Sequence, residues 1–260
     1  WTLSMLNREA VVQVVQHLDG IPLAIELAGG RLAEMPLLRL LEALNDRFVV
    51  LKSQSNIQYR TLFAAIEWSV EGLSNTHRSL LEDVSICLQA FTLELVEYIV
   101  SDDRMMGLQC LEHLQDLVKQ QLVVRSIGDN GVEYSLLSSV REFMSLQLTL
   151  ERQERLYVRH TEYFYQRLIE RPIVDMWSVL DWTWANDNLE HLTMASYHAA
   201  EQKAWVLSDV VVQCFVQRGP WSRGLEVIER LCNRTDVSPQ LQFRWSVLKL
   251  QMHRLLQEPN

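Results

Sequence analysis

Apolar side chains recur three and four positions apart along most of the chain, the spacing of amphipathic helices. Val11, Val14, Val15 and Leu18 mark a first helix over 7–18, with Asn7 placed to cap it. Gly20 ends that helix, and Pro22 suits the first position of the next, where its missing N–H costs nothing. This second helix, 22–34, is apolar nearly all round apart from Glu26 and Arg31, so it is expected to pack on several sides at once. A third, 36–46, starts at Pro36 and carries Leu37, Leu40, Leu41 and Leu44.

The stretch KSQSNIQYR, 52–60, is polar and reads as a linker. Thr61 is then expected to cap a helix bearing Leu62, Ile66, Val70 and Leu73. Ser74 is expected to cap another, bearing Leu80, Leu81, Val84 and Leu88. A short helix follows Thr92. A longer one, 104–120, carries Leu108, Leu111, Leu114 and Val118. The period then changes. LVVRS (122–126) and VEYSLL (132–137) are strand-like and flank IGDNG, whose Asp-Asn-Gly is a hairpin turn signal. A helix with Val140, Phe143 and Met144 follows from 138. Several helices and then one β-hairpin is the outline of a winged helix.

From 151 onward the pattern is helical again, over 153–170, 175–184, 186–202, 204–218, 221–234 and 239–257, with GPWSRG and DVSPQ as turns. Helix pairs joined by short turns suggest a helical repeat array. The tetratricopeptide pattern is met loosely, and such arrays need about three repeats for stability. The expected fold class is mostly α. Residues 1–52 form a helical subdomain, 53–150 a winged-helix domain with one β-hairpin, and 151–260 the start of a TPR-like superhelix.

Composition narrows the function. Nearly half of the 260 residues are hydrophobic and the formal net charge is −9, which argues against a general nucleic-acid surface. Cys87, Cys110, Cys214 and Cys232 form no CxxC pair and have no zinc-finger spacing, so they read as core residues of a reducing compartment. No apolar run reaches membrane-spanning length and no leader pattern opens the chain, so a cytoplasmic location with no membrane contact is expected. The chain begins with Trp1, and the incomplete array suggests continuation past Asn260. It is therefore expected to be a piece of a longer protein.

Five segments in order carry a family resemblance: LDGIPLAIELAGGRL, the run YRTLFAAIEW to ELVEYI, YSLLSSVREFMSLQL, RHTEYFYQRLIE and ANDNLEHLTMASYHAA. Together they resemble the STAND, NB-ARC-like signalling ATPases, and in particular the AfsR/LuxR-type bacterial transcriptional regulators, through most of residues 10–235. The resemblance implies the end of a small helical ATPase subdomain, a winged helix and a superhelical sensor. It implies ATP or ADP as cofactor of the intact protein, an upstream nucleotide-binding domain as partner, and an inducer, protein or small molecule, on the helical array. DNA would be met only through an effector domain outside this chain. The GxP proline of the family lies against adenine, and that role falls on Pro22. A rigid, apolar proline ring suits a base. The family's Met-His-Asp segment is replaced here by Leu136, Leu137 and Ser138. Leu137 has no donor for the β-phosphate of ADP, although Leu is usual there in the AfsR/LuxR-type branch.

The chain has no G-x-x-x-x-G-K-[ST] loop, so no nucleotide cofactor and no enzyme activity are expected of it alone. His77, His113, His160, His191 and His198 lie scattered along helices with no metal spacing, and no metal site is expected. His198 and Glu201 read as an exposed helical pair. Arg152, Arg155 and Arg159 form a basic stripe; Trp205 and Trp221 are weak candidates for a partner-binding face. The alternative reading is a DNA-binding winged-helix protein with a helical dimerisation tail. It is disfavoured by the acidic residues of helix 104–120 and of the IGDNG turn.

Overall fold

Helices dominate the described residues of this computed structural model, which are 8–18, 21–32, 35–42, 57–100, 107–128, 131–170 and 182–257. Two antiparallel strands form the sheet among them. The fold is mostly α with one β-hairpin. Contacts divide the chain into two compact units, Trp1–Thr149 and Leu150–Asn260.

In the first unit, α1 is Arg8–His17, α2 is Pro22–Arg31, and α3 covers 37–42. Then come α4 (Ile57–Glu71), α5 (Asn75–Val84), α6 (Leu93–Val100) and α7 (Leu108–Lys119). The Ser74 hydroxyl accepts from the His77 N–H at 3.3 Å, the cap expected there, and the Thr92 hydroxyl accepts from the Leu95 N–H at 3.3 Å at the start of α6. The boundary at 52/53, Asn7, and much of the third helix expected over 36–46 lie outside the described residues.

Two expectations need correction. Helix α4 starts at Ile57, so Thr61 lies inside a helix and does not cap one. No Gly or Pro lies between 53 and 61, and Gln and Arg are good helix formers, so polarity alone did not make a linker there. On α7 the buried face is Cys110, Leu114 and Leu117, while Leu108 is 70% exposed. Of the expected stripe Leu114 is buried, Leu111 and Val118 are half-buried, and Leu108 at the first turn faces solvent.

The hairpin pairs β1 (Val124–Gly128) with β2 (Gly131–Ser135), from Val124 opposite Ser135 to Gly128 opposite Gly131. Phe91 extends the sheet by exchanging two backbone hydrogen bonds with Tyr134, at 2.7 and 2.8 Å. Tyr134 is thereby buried at the root of the hairpin, while Ile127 near its tip is exposed. Helix α8 (Ser138–Ser145) closes the unit, burying Val140, Phe143 and Met144. The Phe143 ring meets Phe63 of α4 edge-on, and Arg141 donates to the Leu88 carbonyl at 2.8 Å. Leu80, Leu81, Val84, Val96, Ile99 and Leu114 complete the core.

The second unit runs α9 (Leu150–Ile169), α10 (Trp182–Asp187), α11 (Leu189–His198), α12 (Glu201–Arg218), α13 (Trp221–Cys232) and α14 (Pro239–Gln257). The helix expected over 175–184 lies mostly outside the described residues, and the break expected after Trp184 falls instead after Asp187. Helix α11 packs on α9 and α12, and α13 on α12 and α14. Trp245 of α14 is fully buried and donates from Nε1 to the Ser208 hydroxyl at 2.9 Å. Arg234 donates to the Ser196 and Ala199 carbonyls at 3.1 and 2.9 Å, satisfying the C-terminal end of α11. Cys87, Cys110 and Cys214 are buried free thiols, and Cys232 is a half-buried one.

Candidate functional site

The site begins at the head of α2. Ile21 is extended (φ −70°, ψ 116°), the conformation a following proline favours, and Pro22 opens the helix without needing an acceptor. Pro22 itself is exposed. Helix α2 buries only Ala24, Leu27 and Ala28 and packs on α4. Its adjoining side, with Ile25, Gly29 and Leu32, faces an apolar groove of about 580 Å³. Val11, Val14 and Val15 of α1 and Leu37 and Leu40 of α3 supply the other walls. The expectation of a helix packed on several sides is thus half met: one apolar side is covered, and the other lines a groove. Pro22 does not line it.

The C-terminal end of α2 is seated more closely. The Arg31 guanidinium lies 5.1 Å from the centroid of the Trp68 ring, on α4. Leu136 is buried and Leu137 half-buried at the head of α8, where no side chain caps the helix.

Two histidine pairs meet that sequence spacing did not bring together. His77 Nε2 lies 3.2 Å from His113 Nδ1 and 3.5 Å from Asp116, and its Nδ1 sits 2.6 Å from the Ser74 hydroxyl. Burial, then the neighbouring His77, lowers the pKa of His113. A hydrogen bond from Lys119, at 2.8 Å, holds Asp116 below the usual carboxylate value. In the second unit His160 and His191 form a buried pair on α9 and α11. Among the described residues no group of three or more His, Cys, Asp or Glu side chains is arranged to hold a metal ion.

His198 and Glu201 are not a helical pair: one ends α11 and the other begins α12. The His198 ring instead stacks on Tyr157 at 3.8 Å. Covering of that ring face, with Arg230 and Arg234 nearby, pulls His198 down to about 4. Within the basic stripe Arg155 pairs loosely with Glu151. Trp205 is 42% exposed on α12 and Trp221 heads α13, so the two stand on different helices. No helix among the described residues is long and apolar enough to cross a membrane.

The chain is similar to provisionally named HTH-type transcriptional regulators of Mycobacterium bovis and Mycobacterium tuberculosis, at 28% identity over 224 residues. The match covers 79% of this chain and 25% of each relative. It is also 33% identical over 137 residues to an uncharacterized protein of Mycobacterium tuberculosis, covering 51% of this chain and 35% of that protein. The chain therefore spans about a quarter to a third of the length of these relatives. A scan against protein-family models matched none.

Proposed function

We propose that this chain is the regulatory part of a nucleotide-switched transcriptional regulator of the STAND type, acting in the cytoplasm. Helices α1–α3 belong to the helical subdomain of an ATPase module whose phosphate-binding part lies elsewhere in the parent protein. Helices α4–α8 with the hairpin are its winged helix, and α9–α14 are a TPR-like array that takes the inducer. The observation that carries this reading is the element order itself: a proline-headed helix, a winged-helix-like set ending in one hairpin, then stacked helices. The relatives named as transcriptional regulators support the same class.

In this reading ATP or ADP is held mainly by groups outside the chain, and exposed Pro22 offers the base an apolar face. That face buries about 40–60 Å², worth on the order of 1–1.5 kcal/mol. Calorimetry tests it. The chain alone is expected to bind ATP or ADP at most very weakly. Pro22→Ala in the parent protein weakens nucleotide binding by up to about tenfold. Tight binding by the chain alone, or no change in the parent variant, would count against the assignment.

The words "HTH-type" in the relatives' names favour the alternative of direct DNA reading. The chemistry of α7 opposes it. Its one lysine, Lys119, is engaged by Asp116, and Glu112 is exposed on the same helix.

A further inference from the structure

Helix α2 carries Pro22 at its first position and Arg31 at its last, so its ten residues span about 15 Å. The far end is clamped with unusual closeness. A Cβ built on Gly72 would come 1.9 Å from Arg31 Nη1 and 2.6 Å from Cζ. The guanidinium therefore rests directly on the Cα of the residue that follows α4, with Trp68 one turn back in that helix at 5.1 Å. A side chain at position 72 would push the guanidinium off this seat, so the bare Cα of Gly72 is what lets Arg31 lie there. One cation thus serves two helix C-termini, that of α2, which it ends, and that of α4, against which it lies. Both ends carry partial negative charge. One residue earlier, a Cβ on Gly30 would stand 3.6 Å from the Gln120 carbonyl oxygen, just past α7 and just before the hairpin. The end of α2 is therefore seated against the C-terminal ends of two winged-helix helices at once.

We infer that Arg31, lodged on Gly72 and Trp68, is the positioning residue through which a displacement of α2 at its Pro22 end reaches α4 and the hairpin. Arg31 touches no nucleotide; it acts by making α2 and the winged helix move as one body. A flat guanidinium suits this role, since it stacks on the indole and needs the bare Cα of Gly72. A lysine ammonium reproduces neither contact.

This inference rests on the nucleotide-switch reading, and its test separates the two. The intact parent protein is loaded with ADP or with ATP, and amide hydrogen exchange is followed over α4 and β1–β2, with affinities measured in parallel. Unsubstituted protein is expected to show a nucleotide-dependent difference in exchange there. Arg31→Ala, and independently Gly72→Ala, are expected to keep nucleotide binding while shrinking that difference about fivefold or more, the lower range of ordinary coupling between sites. Arg31→Lys is expected to fall near the alanine variant. Trp68→Phe, which keeps an aromatic face and a packed core, is expected to retain most of the difference. It guards against an Arg31→Ala protein that fails to fold. A full exchange difference in folded, nucleotide-binding Arg31→Ala or Gly72→Ala overturns the inference and leaves the switch reading intact. Absence of nucleotide binding in the unsubstituted parent overturns the switch reading, and this inference with it.

Discussion

The imidazoles of His160 and His191, thirty-one residues apart in sequence, meet at 2.9 Å from Nε2 to Nδ1, both closed off from solvent. The Phe164 ring lies 4.8 Å from each, and His160 Nδ1 has no hydrogen-bond partner. The contact between the rings is made with both neutral: one nitrogen donates, the other accepts. Burial, then the neighbouring His191 and His198, holds His160 well below the ordinary imidazole value.

The sign of the pH effect follows. Unfolded histidine titrates near about 6.5, so below that pH the unfolded chain binds a proton that folded His160 refuses. Stability of the second unit is full above about pH 6.5 and falls as pH drops, by about 1.4 kcal/mol per pH unit for each such proton. His198 is shifted in the same direction, but its ring stays exposed to water, so solvent screening leaves it a small share of the effect. Urea midpoints between pH 7.5 and 5 measure it. His160→Phe with His191→Phe should flatten much of the slope, and a profile equally steep in that double variant would assign the effect elsewhere.

Gly224→Ala should destabilise the second unit by about 1–3 kcal/mol through overpacking. Its Cβ would come 2.4 Å from Met252 Cε and 2.7 Å from Phe215 Cβ, where α12, α13 and α14 meet. The methionine tip can swing aside, but the Phe215 Cβ cannot. A thermal scan showing no drop would mean that α13 shifts without cost.

Asp209 and Arg244 pair in a two-pronged contact of 2.9 and 3.1 Å that ties α12 to α14, with Asp209 almost wholly buried. Removing the arginine leaves that carboxylate without its cation. Arg244→Ala is expected to cost about 1–3 kcal/mol, less than a fully buried pair because the guanidinium keeps contact with water. The Asp209→Ala, Arg244→Ala cycle should return a coupling well above the about 0.2–1 kcal/mol of an exposed pair. A value inside that range would show the contact to be a surface one.

The chain should not bind generic duplex DNA at physiological salt. Non-specific affinity comes from Lys and Arg on phosphates. This chain carries a net −9, and on α7 the exposed Lys119 sits beside the acidic Asp116 and Glu112. Fluorescence anisotropy against a random duplex tests this; salt-sensitive binding in the micromolar range would revive the DNA-reading alternative.

What the sequence disclosed was local. Ser74 as a cap, Pro22 at the mouth of α2, and the two strands β1 and β2 are each set by residues within a few positions of one another. What it concealed lies across longer separations. Arg31 reaches Gly72, His77 reaches His113 and His160 reaches His191 only after helices pack, and no periodicity encodes which helices become neighbours. The start of α4 is a different case: residues 57–60 fall in a polar stretch, and polarity alone does not distinguish a linker from the first turn of a helix. The candidate site was legible in the same uneven way. The place of Pro22 was readable, whereas the groove beside it needs α1, α2 and α3 assembled.

The four cysteines turn this architecture into an instrument. Burial pushes the Cys87 and Cys214 thiols up to about 12 and Cys110 to about 11, and raises half-buried Cys232 as well. At neutral pH a thiol at about 12 exists as thiolate only about one part in 100,000, and the thiolate is the form that reacts. Alkylation of the buried three must therefore wait until the surrounding helices part. Cys87 and Cys110 keep time for the first unit and Cys214 for the second, so the chain holds a native clock in each half, readable by mass alone.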